Sequence, residues 1–217
     1  MKLKQLGVVL IVGLLTSGSA MAALYSRAGG TMVYDSDLDI TWLADANYAK
    51  TSGHGSGAMN WADANTWATN LAYGGYSDWR LPTTPQLDPT CELQGGPFGL
   101  GYSCSGSEMG HLFYVELGVR AGQSILASQS PDLTLFQNIQ QGTLYWSQTD
   151  YVPILNFAWG FNMPDGLQGA GNKINLSYAW AVRSGDVATV PEPGSLMLAC
   201  FGLAGLAASR FRRFLRA

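Results

Sequence analysis

Three carboxylates stand at alternate positions in Asp35-Ser-Asp-Leu-Asp39. That spacing offers a hard cation such as calcium several oxygen ligands. An EF-hand loop counted from Asp35 also needs a glycine at its sixth position and a glutamate at its twelfth. Ile40 and Ala46 stand there, so the EF-hand reading fails and a solvated hairpin turn is expected. Glu108-Met-Gly-His111 has the i, i+3 spacing of helical metal sites, but such sites need a second copy, and the chain has none. Helix capping also accounts for Glu108. Calcium therefore remains possible but unsupported, and no metal or other cofactor is expected.

Nucleophilic catalysis finds equally little. His54 and His111 are the two histidines, and His54 lies in a Gly/Ser loop. A serine triad needs a histidine base beside its nucleophile, and no G-x-S-x-G elbow occurs. There is no phosphate loop and no dinucleotide fingerprint. Cys91 and Cys104 flank a glycine-rich loop, and Cys200 lies near the C-terminus. In an oxidising compartment a Cys91–Cys104 disulfide is the favoured reading. The competing reading is a metal-binding or nucleophilic thiol, and no Cys/His cluster supports it. No catalytic residues are expected.

The two ends of the chain show that the compartment is oxidising. Lys2 and Lys4, the apolar run Leu6–Leu15 and Ala20-Met-Ala22 form a secretory signal peptide over residues 1–23. At the other end, Pro191-Glu192-Pro193 precedes an apolar run from Leu196 to Ala208. Arg210, Arg212, Arg213 and Arg216 follow it. The arginines would stay on the cytoplasmic side of a membrane-spanning tail helix. Residues 190–217 thus form a sorting tail, and residues 24–189 a single domain with a sizeable core.

Residues 24–190 carry six basic and fourteen acidic residues, a net charge of −8. Phosphate binding requires Lys/Arg patches, so nucleic acid is excluded as a partner. All seven tryptophans fall in this body. Strands are expected at 31–34 and 40–43. Asn60 caps a helix over 61–71, which Gly74-Gly75 stops. Ser105-Gly-Ser-Glu108 reads as a capping box for a second helix reaching about Leu117. Short strands follow at 144–147, 154–161, 172–176 and 179–183. Helices first and strands last predict an α+β fold.

The tail resembles the PEP-CTERM sorting signal of Gram-negative bacteria. The resemblance implies processing by an exosortase, contact with the membrane through the tail helix, and delivery to the cell surface or extracellular matrix. In the body, Ile40-Thr-Trp42-Leu, Trp61-Ala-Asp-Ala, Trp79-Arg80-Leu81-Pro82-Thr, Tyr145-Trp146-Ser and Ala179-Trp180-Ala-Val-Arg183 occur in order. They resemble the Lcl C-terminal domain family, over roughly residues 31–185. The resemblance implies a C-type-lectin-like or formylglycine-generating-like architecture: two main helices, a cluster of short antiparallel strands, and an adhesive, glycan-binding role. The late cysteines of formylglycine-generating enzymes are missing, which puts oxidase activity aside. The late loops of such folds carry ligands, which singles out Tyr151, Trp159, Asn162 and Asp165. Pro82 fixes φ and Arg80 offers five donors to carbonyls or a carboxylate, so Trp79–Pro82 reads as architectural.

The expectation is a non-enzymatic surface or exopolysaccharide-matrix protein that binds a glycan or a surface protein. One alternative is an extracellular glycan-acting enzyme, which needs two carboxylates about 5–10 Å apart. The other is a purely structural matrix subunit.

Overall fold

The computed structural model describes residues 24–93 and 99–187. The chain begins as a meander: β1 (Leu24–Arg27), β2 (Met32–Asp35) and β3 (Ile40–Leu43) pair antiparallel in sequence order. All four side chains of β3 are buried. The β2–β3 turn is held from inside. Asp35 Oδ1 accepts the amides of Asp37 and Leu38, both at 3.1 Å, and Tyr34 donates its hydroxyl to Asp39 at 2.9 Å.

A short helix, α1 (Tyr48–Thr51), and the two-residue β4 (Ala58–Met59) lead to α2 (Trp61–Thr69). The Asn60 side chain accepts the Asp63 amide, the N-cap expected from sequence. α2 stops two residues earlier than its pattern suggests, with Asn70 as C-cap. The second helix also starts differently. Its cap is Ser107, which accepts the Gly110 amide, and not Ser105. Glu108 opens α3 (Glu108–His111) and is occupied elsewhere. A π-helical turn (Leu112–Glu116) continues α3, and Leu117 donates to the Leu112 carbonyl at 3.0 Å. α3 lies so close to the disulfide loop that a Cβ on Gly110 would sit 1.7 Å from the Cys104 carbonyl oxygen. Cys91 and Cys104 are bonded to each other, which removes the free-thiol reading.

The late strands are β5 (Tyr145–Asp150), β6 (Phe157–Phe161), β7 (Gln168–Asn172), β8 (Ser177–Tyr178) and β9 (Val182–Ser184). Four of them join β4 in a five-stranded sheet of order β4-β8-β5-β6-β7, antiparallel except for β5 with β8. β9 leaves this sheet and pairs with β3, closing the four-stranded sheet β1-β2-β3-β9. The expected strand at 172–176 is a turn, and the strand lies just before it. Gln-Gly-Ala-Gly-Asn lacks the β-branched and aromatic residues that mark strands. It extends because a Cβ on Gly171 would come within 3.0 Å of the Trp146 ring, so glycine lets β7 lie over that ring.

The two sheets meet over an aromatic core. The Trp180 ring lies 5.1 Å from Trp42, 5.3 Å from Phe136 and 5.6 Å from Tyr145. Its indole nitrogen donates to the Leu43 carbonyl at 2.7 Å. This is an α+β fold with few helices and mainly antiparallel sheets. Among the described residues no helix is long and apolar enough to cross a membrane. The expected signal peptide and tail helix lie outside the described residues.

Candidate functional site

The Trp79–Pro82 segment is a junction. Arg80 exchanges backbone hydrogen bonds with Val182 of β9, both 2.8 Å, and Gln148 of β5 donates to the Pro82 carbonyl at 2.9 Å. The segment thereby ties one sheet to the other. The guanidinium of Arg80 binds both oxygens of Glu108 at 2.7 Å and the Leu81 carbonyl at 3.1 Å. Glu108 also accepts the Thr83 amide at 2.7 Å. Trp79 and Leu81 are buried beneath. Trp61 and Trp146 donate their indole N–H groups to the carbonyls of Ser147 and Met59. Arg183 binds both oxygens of Asp78 at 2.8 and 2.9 Å and lies over the Tyr76 ring.

The late-loop residues fare differently as ligand groups. Trp159 is fully buried and packs edge-on against Tyr151 at 5.0 Å, with its N–H directed to Gln86. Neither ring presents an open face, because β6 turns Trp159 inward, between the sheet and the 86–88 loop. Asn162 and Asp165 shape the β6–β7 turn: Gly166 donates to the Asn162 carbonyl, and Leu167 to the Asp165 carboxylate. What this end exposes is aliphatic. Val152, Leu155, Ile174 and Leu176 are each more than 60 % exposed, at 62, 85, 79 and 64 %. Lys173 joins their two loops, donating its amide to Asn156 and its ammonium to the Leu155 carbonyl.

An open groove of about 870 Å³ lies between the α1 loop and α2. Tyr48, Trp67 and Met59 supply apolar wall, and His54, Asp63, Thr66 and Asn70 supply polar groups. Apart from His54, set aside above as a triad base, these residues carry no expected role in the sequence. A signal was there: Asp63, Thr66 and Asn70 recur at helical spacing on the face of α2 beside Trp67. Asp63 is the sole carboxylate in the lining among the described residues.

The third feature lies where the β2–β3 turn meets the end of α3. Asp35 Oδ2, His111 Nε2 and Glu116 Oε1 are buried with no hydrogen-bond partner among the described residues. His111 Nε2 lies 3.4 Å from Glu116 Oε1 and 3.8 Å from Asp37 Oδ2. That is ion-pair distance, yet neither contact has hydrogen-bond geometry. Burial, reinforced by Asp35, Asp37 and Asp132, pushes the Glu116 carboxyl up to about 7. Burial also raises Asp35 above the usual carboxylate range.

These observations define a disulfide-closed α+β domain with an open surface groove. The chain belongs to the Lcl C-terminal domain family, whose model matches residues 31–183. Residues 189–213 match the PEP-CTERM protein-sorting motif. The chain is therefore an exosortase-sorted protein, directed to the cell envelope or extracellular space of a Gram-negative bacterium. The motif residues Pro191, Glu192 and Pro193 and the basic residues Arg210, Arg212, Arg213 and Arg216 lie outside the described residues. No curated protein and no solved structure matches the chain significantly.

Proposed function

We propose that this chain is a non-enzymatic surface or exopolysaccharide-matrix protein. Its lectin-like body binds a neutral glycan in the groove between the α1 loop and α2. The groove's lining carries the reading. It pairs aromatic rings, which cover the apolar faces of sugars, with hydroxyl, amide, imidazole and carboxylate groups that match sugar hydroxyls. The acidic body disfavours polyanionic chains. Hydrolysis would need a second carboxylate across the groove from Asp63, and the lining supplies none.

The test is calorimetric titration of the purified full chain with exopolysaccharide from the producing bacterium. The double variant His54→Ala, Asn70→Ala removes exposed groups only and should bind at least about tenfold more weakly, the loss of one or two hydrogen bonds. Equal binding by the variant would overturn the groove as the glycan site.

The aliphatic end of the β5–β6 and β7–β8 loops favours a second reading, a structural subunit held by protein contacts. Exposed apolar clusters of this kind mark association surfaces. Concentration-dependent sedimentation that disappears in Leu155→Ser, Ile174→Ser, with no glycan bound, would select it.

A further inference from the structure

We propose that Asp35, His111 and Glu116, with Asp37 at the rim, form a binding site for one divalent transition-metal ion.

A buried polar atom without a partner is destabilising, and more so if charged. Eight side-chain atoms among the described residues are in this state, and three of them, all from ionisable groups, converge here from two separate elements. Asp35 contributes the end of β2, and His111 and Glu116 contribute α3 and its π-helical extension. No Lys or Arg nitrogen among the described residues forms an ion pair with any of them. Asp35 shows the division clearly. Its Oδ1 is spent on the turn amides, and its Oδ2 points away from them, buried and unpartnered.

The helix geometry serves the same point. In a regular α-helix, residues five apart point about 140° away from each other. The wider i→i+5 turn at Leu112–Glu116 narrows that angle. His111 and Glu116 thereby come to 3.4 Å instead of facing different ways. π-Helical turns recur at functional sites for this reason.

The donor set fits a particular ion class. The ligand atoms of Asp35, His111 and Glu116 all lie within 4.8 Å of one another. Atoms bound to a common ion at about 2.1 Å are at most about 4.2 Å apart, so a small inward movement closes the site. Two buried carboxylates balance a 2+ charge. An imidazole among them selects zinc, manganese or iron(II) over calcium and magnesium, which prefer oxygen alone. Asp37 is partly exposed at the rim and gives the ion a carboxylate to meet first. On the other side, a cleft of about 550 Å³ runs between the Val115–Arg120 and Ala127–Ser130 segments, and Glu116 is in its lining. The bound ion would pin the β2–β3 turn to α3, a tie between the first sheet and the disulfide-loop helix.

Metal analysis of the purified full chain, before and after chelator treatment, tests the site. Zinc and manganese titrations followed by calorimetry and thermal melts complete the test. The expected result is one ion per chain and a melting temperature raised by roughly 5–10 °C at saturating metal. Glu116→Gln should weaken binding by at least about 100-fold. Asp37→Asn changes only a rim residue, keeps the fold, and should weaken it by about tenfold. Three outcomes would each overturn the proposal: no saturable binding by the wild type, binding unchanged in both variants, or calcium acting as well as zinc and manganese.

Discussion

Two glutamates bracket the second helix, and their surroundings are opposite. Glu108, at its start, accepts two guanidinium hydrogen bonds from Arg80 and one from the Thr83 amide, all at 2.7 Å. Glu116, in the π-helical turn at its end, keeps an oxygen buried and unpartnered beside Asp35 and His111. Both carboxylates are largely out of water. Burial alone therefore does not tell a structural charge from a functional one. The completeness of the partner set does. A closed set such as Arg80–Glu108 fixes the fold. An open set leaves coordination that no group among the described residues completes.

Removing Arg80 should have the largest effect. Arg80→Ala strips Glu108 of both charged hydrogen bonds while its side chain stays 14 % exposed. Breaking such a pair on one side costs about 3–5 kcal/mol. Urea unfolding followed by circular dichroism should show that loss. The double variant Arg80→Met, Glu108→Leu should recover most of it, because both charges then leave together. If Arg80→Ala alone unfolds at the wild-type midpoint, the closed set is not what holds the two sheets together.

Glu116 should behave in the opposite sense. Its carboxyl is raised from 4.5 to about 7 in the folded protein. The folded state thus holds this proton more tightly than the unfolded chain does. In chelator-treated protein its contribution is full below about pH 4.5 and is lost as the pH rises through about 7, by at most about 3 kcal/mol. Glu116→Gln should flatten that slope. Zinc should reverse it, since the ion takes the deprotonated carboxylate. Denaturation midpoints measured from pH 4.5 to 8, with and without zinc, check all three. A metal-free protein whose stability is level across this range would mean that Glu116 is not closed off from water.

The same contrast explains what the sequence disclosed. Local signals survived translation into structure: the Asn60 cap and the α+β order both depend on neighbours in the chain. Trp79–Pro82 announced a rigid junction because proline and arginine have few other uses in a buried segment. The open set was invisible for a different reason. Asp35 and Glu116 are 81 positions apart, and neither spacing motif around them is complete. Asp35-Ser-Asp-Leu-Asp39 failed as an EF-hand, and Glu108–His111 failed as half of a bundle site. The structure brings Asp35 and Asp37 from one failed motif to His111 from the other, and adds Glu116 through a π-helical turn, which no periodicity announces. Trp159 went the other way. Its position near the late loops suggested a ligand platform, but β6 is covered on both faces, and Trp159 is closed off by Tyr151 and Gln86.

A third carboxylate separates geometry from burial. Asp78 meets Arg183 through the same two-point contact that joins Glu108 to Arg80, at 2.8 and 2.9 Å. The Arg183 guanidinium holds the Asp78 carboxyl below its usual range. Yet the Asp78 side chain is 56 % exposed, so water replaces much of what is lost when the pair breaks. Asp78→Asn should therefore cost only about 0.5 kcal/mol, and less in high salt. Arg183 also keeps its stacking on Tyr76 and its bonds to the Gly185 and Asp186 carbonyls in that variant. Melts of Asp78→Asn and Arg80→Ala in the same buffers set the two pairs side by side. An Asp78→Asn loss as large as that of Arg80→Ala would make contact geometry, and not withdrawal from water, the quantity that ranks these charges. The distinction between closed and open sets would then need a different physical basis.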